Sequence, residues 1–550
     1  MPLRLGEALL EQGLVSREAL ERALETARTT RDSLFHVLVK TRLVAEDVLL
    51  RLVAGQQGLE FVSLKETPVD ARAINSLAPK FAAHYRVMPV RLQDGVLTIA
   101  VSNPFDMAAE EDIETNLGYQ VQRVLACEPD ILEAISRHYG VGADTVERIL
   151  SDRQGAEEGE VLAGEESHDL ERLAEDASVV KLVNQIMHQA IGDRATDIHF
   201  EVYRGDVAVR RRIDGLLYET NVPRNISVLY PAIVSRIKLM AGLNIVERRL
   251  PQDGRARVRI GRKEYDLRIS VVPSLHGEDV VIRILPTAML FSLEHLGLSP
   301  EHLRTLEELI RQPHGIIFVT GPTGSGKSTT LYACLSRLNV RDRKIITIED
   351  PVEYELKGVT QCQVNPKIGL TFAQALRSML RHDPDIMMVG EVRDRETADI
   401  TIQTALTGHL VFSTLHTNDA ASAAVRLMDM GIDPYLIAST VRAFMAQRLV
   451  RVICPHCKTS YRSGDQVFYR GAGCRECGQT GYYGRVAISE FIRMSSDLQP
   501  LILKRTSANE IQARAVELGA TTLAHDGWQK VAAGLTTAEE VLRVTQLPGA

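Results

Sequence analysis

Aromatic residues are scarce in this chain of 550 residues: tryptophan occurs once, and all aromatics together make up 5%. Since hydrophobic residues still reach 45%, aliphatic and alanine side chains have to fill the cores. No apolar run approaches the ~18 residues that cross a bilayer, and no charged segment followed by an apolar one opens the chain as in a signal peptide. We therefore expect a globular protein that meets membranes only through partners.

An excess of positive charge is also missing, because the net charge is −7 and the isoelectric point is near 6.1. Nucleic-acid-binding proteins concentrate lysine and arginine on one face, so this balance speaks against direct nucleic-acid binding. Cysteine is sparse, with seven residues in the chain. Cys127, Cys334 and Cys362 stand alone, which is typical of reduced thiols in a cytoplasmic protein.

The other four cysteines form two C-x-x-C pairs, Cys454 with Cys457 and Cys474 with Cys477, separated by sixteen residues. This spacing suits a tetrahedral zinc site, since each pair forms a tight turn and the intervening loop brings the pairs together. A redox dithiol is the alternative for a single pair and is less suited to two. His456 is a possible substitute ligand. Four thiolates leave no position open for water, so we expect a structural Zn²⁺ ion.

A complete phosphate-binding loop follows the apolar run 316–319 and precedes a helix-compatible segment. In such loops glycine-freed backbone N–H groups and the helix dipole face the phosphates together. Lys327 then reaches the β- and γ-phosphates, and Ser328 offers its hydroxyl to Mg²⁺. An ordinary glycine-rich turn is the competing interpretation, which the flanking strand and helix disfavour. The pattern predicts that ATP is bound by Gly321, Pro322, Thr323, Gly324, Ser325, Gly326, Lys327, Ser328 and Thr329.

Two further apolar runs end in acidic residues. One leads into Glu349 and Asp350, with Glu353 beyond them, and the other leads into Glu391. Each run suits a central strand of a parallel sheet, and ligands bind at the carboxyl ends of such strands. ATP hydrolysis needs one carboxylate to place a water in line with the γ-phosphate and another acidic group for Mg²⁺. We expect these acids to converge on Lys327; the competing interpretation for each is a solvated loop.

Local signals predict several smaller features. Asp94-Gly95 between two apolar runs predicts a β-hairpin, and Ser16 is expected to cap a helix. Thr537 and Glu540 fit a capping box.

Changes in composition along the chain divide it into six parts. They are an N-terminal partner-docking module, a flexible acidic linker, a second α/β domain, an ATPase core, a zinc element and a C-terminal helical region. Their expected bounds are 1–140, 141–178, 179–288, 289–450, 451–485 and 486–550.

Four stretches, at 321–328, 348–353, 380–394 and 408–417, closely resemble the type II secretion and type IV pilus assembly ATPases. In that family they are the Walker A motif, the Asp box, the Walker B motif and the His box. The resemblance is strong from residue 180 onward and loose before it. It implies an α/β fold: a RecA-like P-loop ATPase domain, preceded by a smaller PAS-like α/β domain and an N-terminal helical and α/β module, with a zinc-binding insertion.

The resemblance also implies roles for single residues. Glu353 is expected to position or activate the attacking water, and Glu391 to assist through Mg²⁺ or the water; which of the two is the general base stays open. His409 and His416 are expected to sense the γ-phosphate. A histidine in an apolar run is otherwise an ordinary core residue.

Two arginines of the preceding domain, Arg268 and Arg283, resemble the family's nucleotide-facing pair. Side chains alternate between the faces of a strand, so the competing role for each is a solvated strand arginine. If they neutralise charge on the phosphates, closure of that domain would couple hydrolysis to movement.

The family implies a cytoplasmic homo-hexamer, peripheral at the bacterial inner membrane, which hydrolyses ATP to assemble pseudopilus subunits in type II secretion. Residues 1–140 are expected to grip the cytoplasmic domain of an inner-membrane protein, and hydrolysis to act on an inner-membrane platform protein. The alternatives are a type IV pilus extension ATPase, a nucleic-acid translocase and a non-hydrolysing scaffold. The N-terminal module resembles tandem modules that bind cyclic di-GMP, but its second copy, near Ser33, lacks the glycines of the first.

Overall fold

The computed structural model describes residues 2–30, 32–154, 176–287 and 291–545. The chain divides into two compact units, Met1–Leu285 and Pro286–Ala550. No helix among the described residues combines the length and the apolar character that crossing a membrane requires.

The first unit contains eleven described helices. They are α1 (Pro2–Glu11), α2 (Arg17–Thr30), α3 (Leu34–Lys40), α4 (Glu46–Gln57), α5 (Ala71–Ser76), α6 (Pro79–Tyr85), α7 (Ala108–Leu117), α8 (Glu128–Tyr139), α9 (Ala143–Gln154), α10 (Ala177–Gly192) and α11 (Tyr230–Met240).

Ten strands accompany these helices. They are β1 (Glu60–Phe61), β2 (Met88–Gln93), β3 (Val96–Val101), β4 (Gln120–Leu125), β5 (Ala195–Tyr203), β6 (Asp206–Ile213), β7 (Leu216–Thr220), β8 (Gln252–Ile260), β9 (Lys263–Ser274) and β10 (Gly277–Pro286). They form a four-stranded sheet in the order β1-β4-β3-β2 and a six-stranded sheet in the order β7-β6-β5-β10-β9-β8.

The six-stranded sheet has one face covered by helices. Along β9 and β10 every second residue, such as Leu267, Ile269, Ile282 and Ile284, is buried in a core that also receives α10 and α11. Because side chains alternate, the residues between them lie on the opposite face.

The predicted hairpin and helix cap are both present. Strands β2 and β3 pair antiparallel, and the turn residues Asp94 and Gly95 both have positive φ (+51° and +81°), as a two-residue hairpin turn requires. Ser16 Oγ accepts from Ala19 N (3.2 Å) at the start of α2.

Residues 143–154 form helix α9, so the expectation of a flexible linker over 141–178 is wrong for these residues. Val146 and Ile149 are buried in the core that α10 also enters, and this burial offsets the cost of ordering an otherwise polar segment. The part of the predicted linker from 155 to 175 lies outside the described residues.

The second unit contains ten described helices. They are α12 (Pro300–Leu309), α13 (Lys327–Leu338), α14 (Phe372–Met379), α15 (Arg395–Leu406), α16 (Ala420–Asp429), α17 (Pro434–Thr440), α18 (Gln499–Leu503), α19 (Ala508–Glu517), α20 (Leu523–Ala532) and α21 (Ala538–Thr545).

Its strands are β11 (Gly315–Thr320), β12 (Ile345–Glu349), β13 (Thr360–Gln363), β14 (Ile386–Val389), β15 (Leu410–Leu415), β16 (Val441–Ile453), β17 (Lys458–Ser463), β18 (Gln466–Gly471) and β19 (Tyr482–Arg493). Seven of them form one sheet in the order β13-β12-β14-β15-β11-β16-β19, while β17 and β18 form a separate hairpin. The seven-stranded sheet is parallel except for the β16–β19 pair.

Both faces of the seven-stranded sheet are buried. Ile316 and Phe318 of β11 enter one core, and Ile317 and Val319 enter the other. The sequence of a strand that is covered on both sides is a continuous apolar run, which explains why β11, β12 and β14 were recognisable in the sequence.

The region after the zinc element does not begin as a helix. Strand β19 pairs antiparallel with β16, so the expectation of a helical region over 486–550 is wrong for residues 486–493. The cysteine-rich element is thus inserted between two neighbouring strands of the sheet, and the helices of the region begin at α18.

Half of the predicted capping box is present at α21. Glu540 N donates to Thr537 Oγ1 (3.4 Å), but the Glu540 carboxylate accepts from Arg451 N (3.0 Å) instead of reaching back to Thr537. The Glu540 carboxylate also pairs with the Arg451 guanidinium (2.8 Å). These charge-assisted contacts to Arg451 take the place of the reciprocal hydrogen bond of a capping box.

Candidate active site and metal centre

The phosphate loop joins the end of β11 to the start of α13, which begins at Lys327. Its glycines are required by geometry. Gly321 and Gly326 have positive φ (+151° and +89°), and a Cβ on them would lie 2.6 Å from Gln447 O and 2.7 Å from Gln447 Nε2 respectively. The loop backbone therefore runs directly over the neighbouring strand β16, with its amides at the amino end of a helix.

Lys327 is folded over this loop. Its Nζ donates to Gly321 O (2.7 Å) and Pro322 O (3.0 Å). Burial lowers the pKa of Lys327 to about 8; Glu391 acts in the opposite direction, and Arg448 lowers the pKa further. A partly desolvated ammonium interacts strongly with a phosphate, because the local dielectric is low.

Glu391 and His416 lie beside this lysine. Glu391 follows β14 and is 8% exposed, and one of its oxygens is 3.4 Å from His416 Nε2 while the other pairs with Arg393. Burial lowers the pKa of His416, and the charge of Lys327 adds to this effect. The structure thus brings Lys327, Glu391 and His416 together at the carboxyl edge of the sheet, while their catalytic roles stay predictions.

Glu349 does not join this group. It is 4% exposed, and its carboxylate accepts from Tyr332, from Thr347 Oγ1 (2.6 Å) and from Gln361 Nε2 (3.1 Å). Gln361 belongs to β13, on the side of β12 away from β14. The charge of Glu391 acts on Lys327 but that of Glu349 does not, so the expectation that Glu349 converges on Lys327 is wrong. Its oxygens are already engaged by these three donors.

Glu353 lies in the loop after β12, and this loop contacts the helix that follows the phosphate loop. Glu353 N donates to the hydroxyl of Tyr332 on α13 (3.1 Å). The role of the Glu353 carboxylate stays a prediction.

His409 lies at the wrong end of its strand for the role assigned to it. Its Nδ1 is 2.9 Å from Thr404 O and 3.0 Å from Thr407 Oγ1, and its carbonyl accepts from the N–H of Gly315, the first residue of β11. Strand β15 runs parallel to β11 and separates His409 from His416 by roughly 20 Å. The prediction that His409 senses the γ-phosphate at its own phosphate loop is wrong.

Arg448 on β16 is a second cation at the loop, and our sequence reasoning missed it. It is 8% exposed and donates to Gln447 O (3.0 Å) and Asn418 O (2.7 Å). Its Nη1 would lie 3.0 Å from a Cβ on Gly321. Burial lowers the pKa of Arg448 from its usual value. The signal that could have revealed it is the polar pair Gln447-Arg448, which follows the apolar run 443–446 in the middle of the strand.

Arg268 and Arg283 lie in the first unit, on the face of the six-stranded sheet opposite its core. Arg283 on β10 pairs with Asp197 on β5 (Nε to Oδ1, 3.0 Å) and is about half exposed. Arg268 on β9 stands opposite Arg255 of β8. A core role is thus excluded for both, and their action on a nucleotide stays a prediction.

The four clustered cysteines meet as expected for a metal site. Their sulfur atoms all lie within 4.8 Å of one another. The distances are 3.7 Å from Cys454 to Cys474, 3.9 Å from Cys457 to Cys477 and 3.7 Å from Cys474 to Cys477. A tetrahedron with Zn–S bonds of ~2.3 Å has S···S edges of roughly 3.8 Å. The donor set and its geometry therefore fit Zn²⁺.

Backbone N–H groups around the cysteines stabilise the thiolate form of Cys477, which is the form that binds a cation. Burial raises the pKa of Cys477, but hydrogen bonds from the N–H groups of Cys474 (3.2 Å) and Gly481 (3.3 Å) outweigh this and lower it to about 7. Gly471 also contacts Gly481 directly, since a Cβ on Gly471 would lie 1.9 Å from Gly481 O. This contact closes the β17–β18 hairpin onto the second cysteine pair.

The oxygen donors at the phosphate loop fit Mg²⁺. Ser328 is the second residue of α13 and is exposed, and Glu391 supplies a carboxylate at the same edge of the sheet. Hydroxyl and carboxylate oxygens are the ligands that Mg²⁺ takes beside the phosphates of a nucleotide. When bound, the ion would neutralise charge that develops on the phosphates.

A phosphate loop at the carboxyl edge of a parallel sheet, with a carboxylate and a histidine beside its lysine, defines a P-loop ATPase of the RecA-like class. The chain belongs to the type II/IV secretion system protein family, whose sequence profile matches residues 172–543. The profile of the MshEN domain matches residues 57–145. The fold class and the family resemblance read from the sequence are confirmed.

Relatives of both biological kinds match over nearly the whole chain. It is 42% identical to the type IV pilus assembly ATPase PilB of Myxococcus xanthus, over 98% of this chain and 98% of that protein. It is 40% identical to the type II secretion system protein E of Xanthomonas campestris, over 99% and 98%. The ATPase DotB of Legionella pneumophila, 23% identical, shares the fold with a TM-score of 0.51 over 67% of this chain and 95% of that one. The chain is therefore a secretion or pilus assembly ATPase that hydrolyses ATP.

Proposed function

We propose that this ATPase drives the assembly of pseudopilus subunits at the bacterial inner membrane in type II secretion, acting as a cytoplasmic homo-hexamer. The observation that carries the proposal is the grouping of Lys327, Glu391 and His416 at one sheet edge, on a chain 40% identical to a type II secretion system protein E. Type IV pilus extension is the second candidate, favoured by the 42% identity to PilB.

In the proposed reaction, Lys327 and the loop amides hold the β- and γ-phosphates, and Glu353 orients a water in line with the γ-phosphorus. The water oxygen bonds to phosphorus as the bond to the β,γ-bridging oxygen breaks, ADP leaves, and the proton passes to a carboxylate. Glu353 and Glu391 are the candidates for that acceptor. Ser328 and Glu391 would hold Mg²⁺, and Arg268 and Arg283 would neutralise charge on the phosphates.

Substitution of the two carboxylates tests this assignment. Glu353→Gln and Glu391→Gln keep the size of each side chain but remove a proton acceptor, so we expect each to lower kcat by about 10²–10⁴-fold. For Glu353→Gln, nucleotide affinity should change far less than kcat, because that residue acts on the water. If both variants hydrolyse ATP at the wild-type rate, the assignment is wrong.

The biological role is tested in the host. Chromosomal Glu391→Gln should abolish secretion of exoproteins and leave surface pili intact if the chain serves type II secretion; the reverse result would assign it to pilus extension. ATPase activity that is stimulated by DNA and falls steeply with salt would instead favour a nucleic-acid translocase. Capture with the full-length chain, compared with a chain lacking residues 1–140, should identify the inner-membrane partner.

A further inference from the structure

One tyrosine connects the helix of the phosphate loop to the loop that carries Glu353. Tyr332 lies in α13, five residues after Lys327, and is 1% exposed. Its hydroxyl accepts from Glu353 N (3.1 Å) and donates to the carboxylate of Glu349. A phenol that both accepts and donates fixes the backbone at Glu353 relative to the helix.

Gln361, a partner of the buried Glu349 carboxylate, holds the same loop at further points. Gln361 Nε2 donates to Glu349 Oε1 (3.1 Å) and to Tyr354 O (3.0 Å), and Gln361 Oε1 accepts from Leu356 N (2.6 Å). The backbone after Glu353 is therefore fastened to the pair formed by Glu349, at the end of β12, and Gln361, near the start of β13.

Aromatic packing covers this hydrogen-bonded group. The ring of Tyr332 lies 5.2 Å from that of Phe291 and 6.1 Å from that of Tyr354, and the rings of Phe291 and Tyr354 are 5.2 Å apart. All three pairs meet edge to face, which is a favoured arrangement for aromatic rings. Because water is kept from the hydroxyl–carboxylate contact, that contact is strengthened by its low-dielectric surroundings.

We propose that Tyr332 and Glu349 are positioning residues for ATP hydrolysis: they fix the Glu353 loop on the helix that begins at Lys327. The phosphate-binding Lys327 and the water-orienting carboxylate of Glu353 are then held in a fixed position relative to each other. The inference rests on the proposed role of Glu353. A displacement of about 1 Å in such a constellation is enough to lower a rate ~100-fold, so loss of the tyrosine hydroxyl should act on turnover rather than on binding.

Tyr332→Phe is the direct test, because it removes the hydroxyl and keeps the ring in the aromatic group. We expect kcat to fall about 10–100-fold while the Kd of a non-hydrolysed ATP analogue stays within about threefold. Tyr435→Phe is the matched control, since Tyr435 lies on the surface of the same unit, 66% exposed, and should keep wild-type turnover. A wild-type kcat for Tyr332→Phe, or an equal fall in kcat and affinity, would overturn the proposal.

A double-mutant cycle with Glu353→Gln shows whether the hydroxyl acts through Glu353. The double variant should be within about twofold of Glu353→Gln alone, because the positioned group is already lost. Fully additive effects overturn the inference and leave the role of Glu353 intact, whereas wild-type turnover of Glu353→Gln overturns that role as well. If Tyr332→Phe does not fold, Glu349→Gln replaces it in the same cycle, and wild-type turnover of that variant overturns the proposal.

Discussion

Lys327 stands between charges of opposite sign at the phosphate loop. Glu391 favours its protonated form, whereas burial and the buried guanidinium of Arg448 disfavour it, and the result is a pKa of about 8. The lysine therefore titrates close to neutral pH, far below the ~10.4 of a solvated lysine. Phosphate groups favour the ammonium form, so nucleotide binding has to be coupled to protonation of this residue.

We expect nucleotide binding to take up protons at alkaline pH. At pH 6.5 Lys327 is already charged and contributes no uptake, whereas at pH 8 it should take up about half a proton and above that pH affinity should fall. Titration calorimetry with a non-hydrolysed ATP analogue, in buffers of different ionisation enthalpy, measures this uptake. Lys327→Arg remains charged throughout and is the reference for protons released by the nucleotide itself.

Arg448→Gln provides a second check on the same lysine. Removal of the neighbouring positive charge raises the pKa of Lys327, so proton uptake should begin at a higher pH than in the wild type. Arg442→Gln on the same strand is the control; its Nε contacts His314 O (3.1 Å), near the start of β11 rather than its end. If the wild type and Lys327→Arg take up the same number of protons on nucleotide binding at pH 8.5, nucleotide binding is not coupled to protonation of Lys327.

Among the elements, the cysteine-rich insertion is the one we expect to depend on a metal. Strands β17 and β18 form a two-stranded hairpin whose residues are mostly exposed, and such a hairpin is marginally stable alone. Four thiolates at its base, together with the contact of Gly471 on Gly481, connect it to the sheet through β16 and β19. With Zn²⁺ bound, a closed Cys₄ site would supply stability that these exposed strands lack.

Cys474→Ser should lose the zinc ion and loosen the hairpin while the ATPase sheet stays folded. Cys474 lies 3.7 Å from both Cys454 and Cys477, so its loss removes a ligand that contacts each pair. We expect elemental analysis to give about one zinc per wild-type chain and far less for the variant, with faster proteolysis between residues 458 and 471. Cys362→Ser is the control and should keep its zinc; full retention by Cys474→Ser would contradict the assignment.

At the scale of the whole molecule, the proposed catalytic groups are divided between two compact units. The phosphate loop, Glu353 and Glu391 belong to the second unit, and Arg268 and Arg283 to the first. If both sets act on one nucleotide, hydrolysis requires the two units to work together, which is how cleavage could be converted into movement.

Arg268→Ala and Arg283→Ala should lower kcat at least about 100-fold, because each removes a cation that opposes developing phosphate charge. Analogue affinity should change little, which separates this loss from damage to the phosphate loop. Arg259→Ala is the matched control, an exposed arginine of β8 in the same sheet. Full ATPase activity and full secretion in both test variants would rule out the closure mechanism.

Several parts of this protein were determined by the sequence alone. The phosphate loop, the apolar runs of β11, β12 and β14, and the two cysteine pairs are local patterns, and each requires its residue types at fixed spacing. The hairpin at Asp94-Gly95 is local in the same sense. These features could be recognised because backbone freedom, strand burial and metal ligation act over a few neighbouring residues.

Only the tertiary structure decided which of the candidate residues meet. His409 and His416 occupy the same motif, yet parallel pairing places them at opposite ends of β15. Glu349 was selected for the site by its position at a strand end, but its carboxylate accepts hydrogen bonds from Tyr332 and Gln361 instead. Arg448 comes from β16, which pairs with β11 although the two strands are far apart in the sequence. Strand direction, sheet order and buried hydrogen bonds arise between segments far apart in the chain, and local spacing carries no information about them.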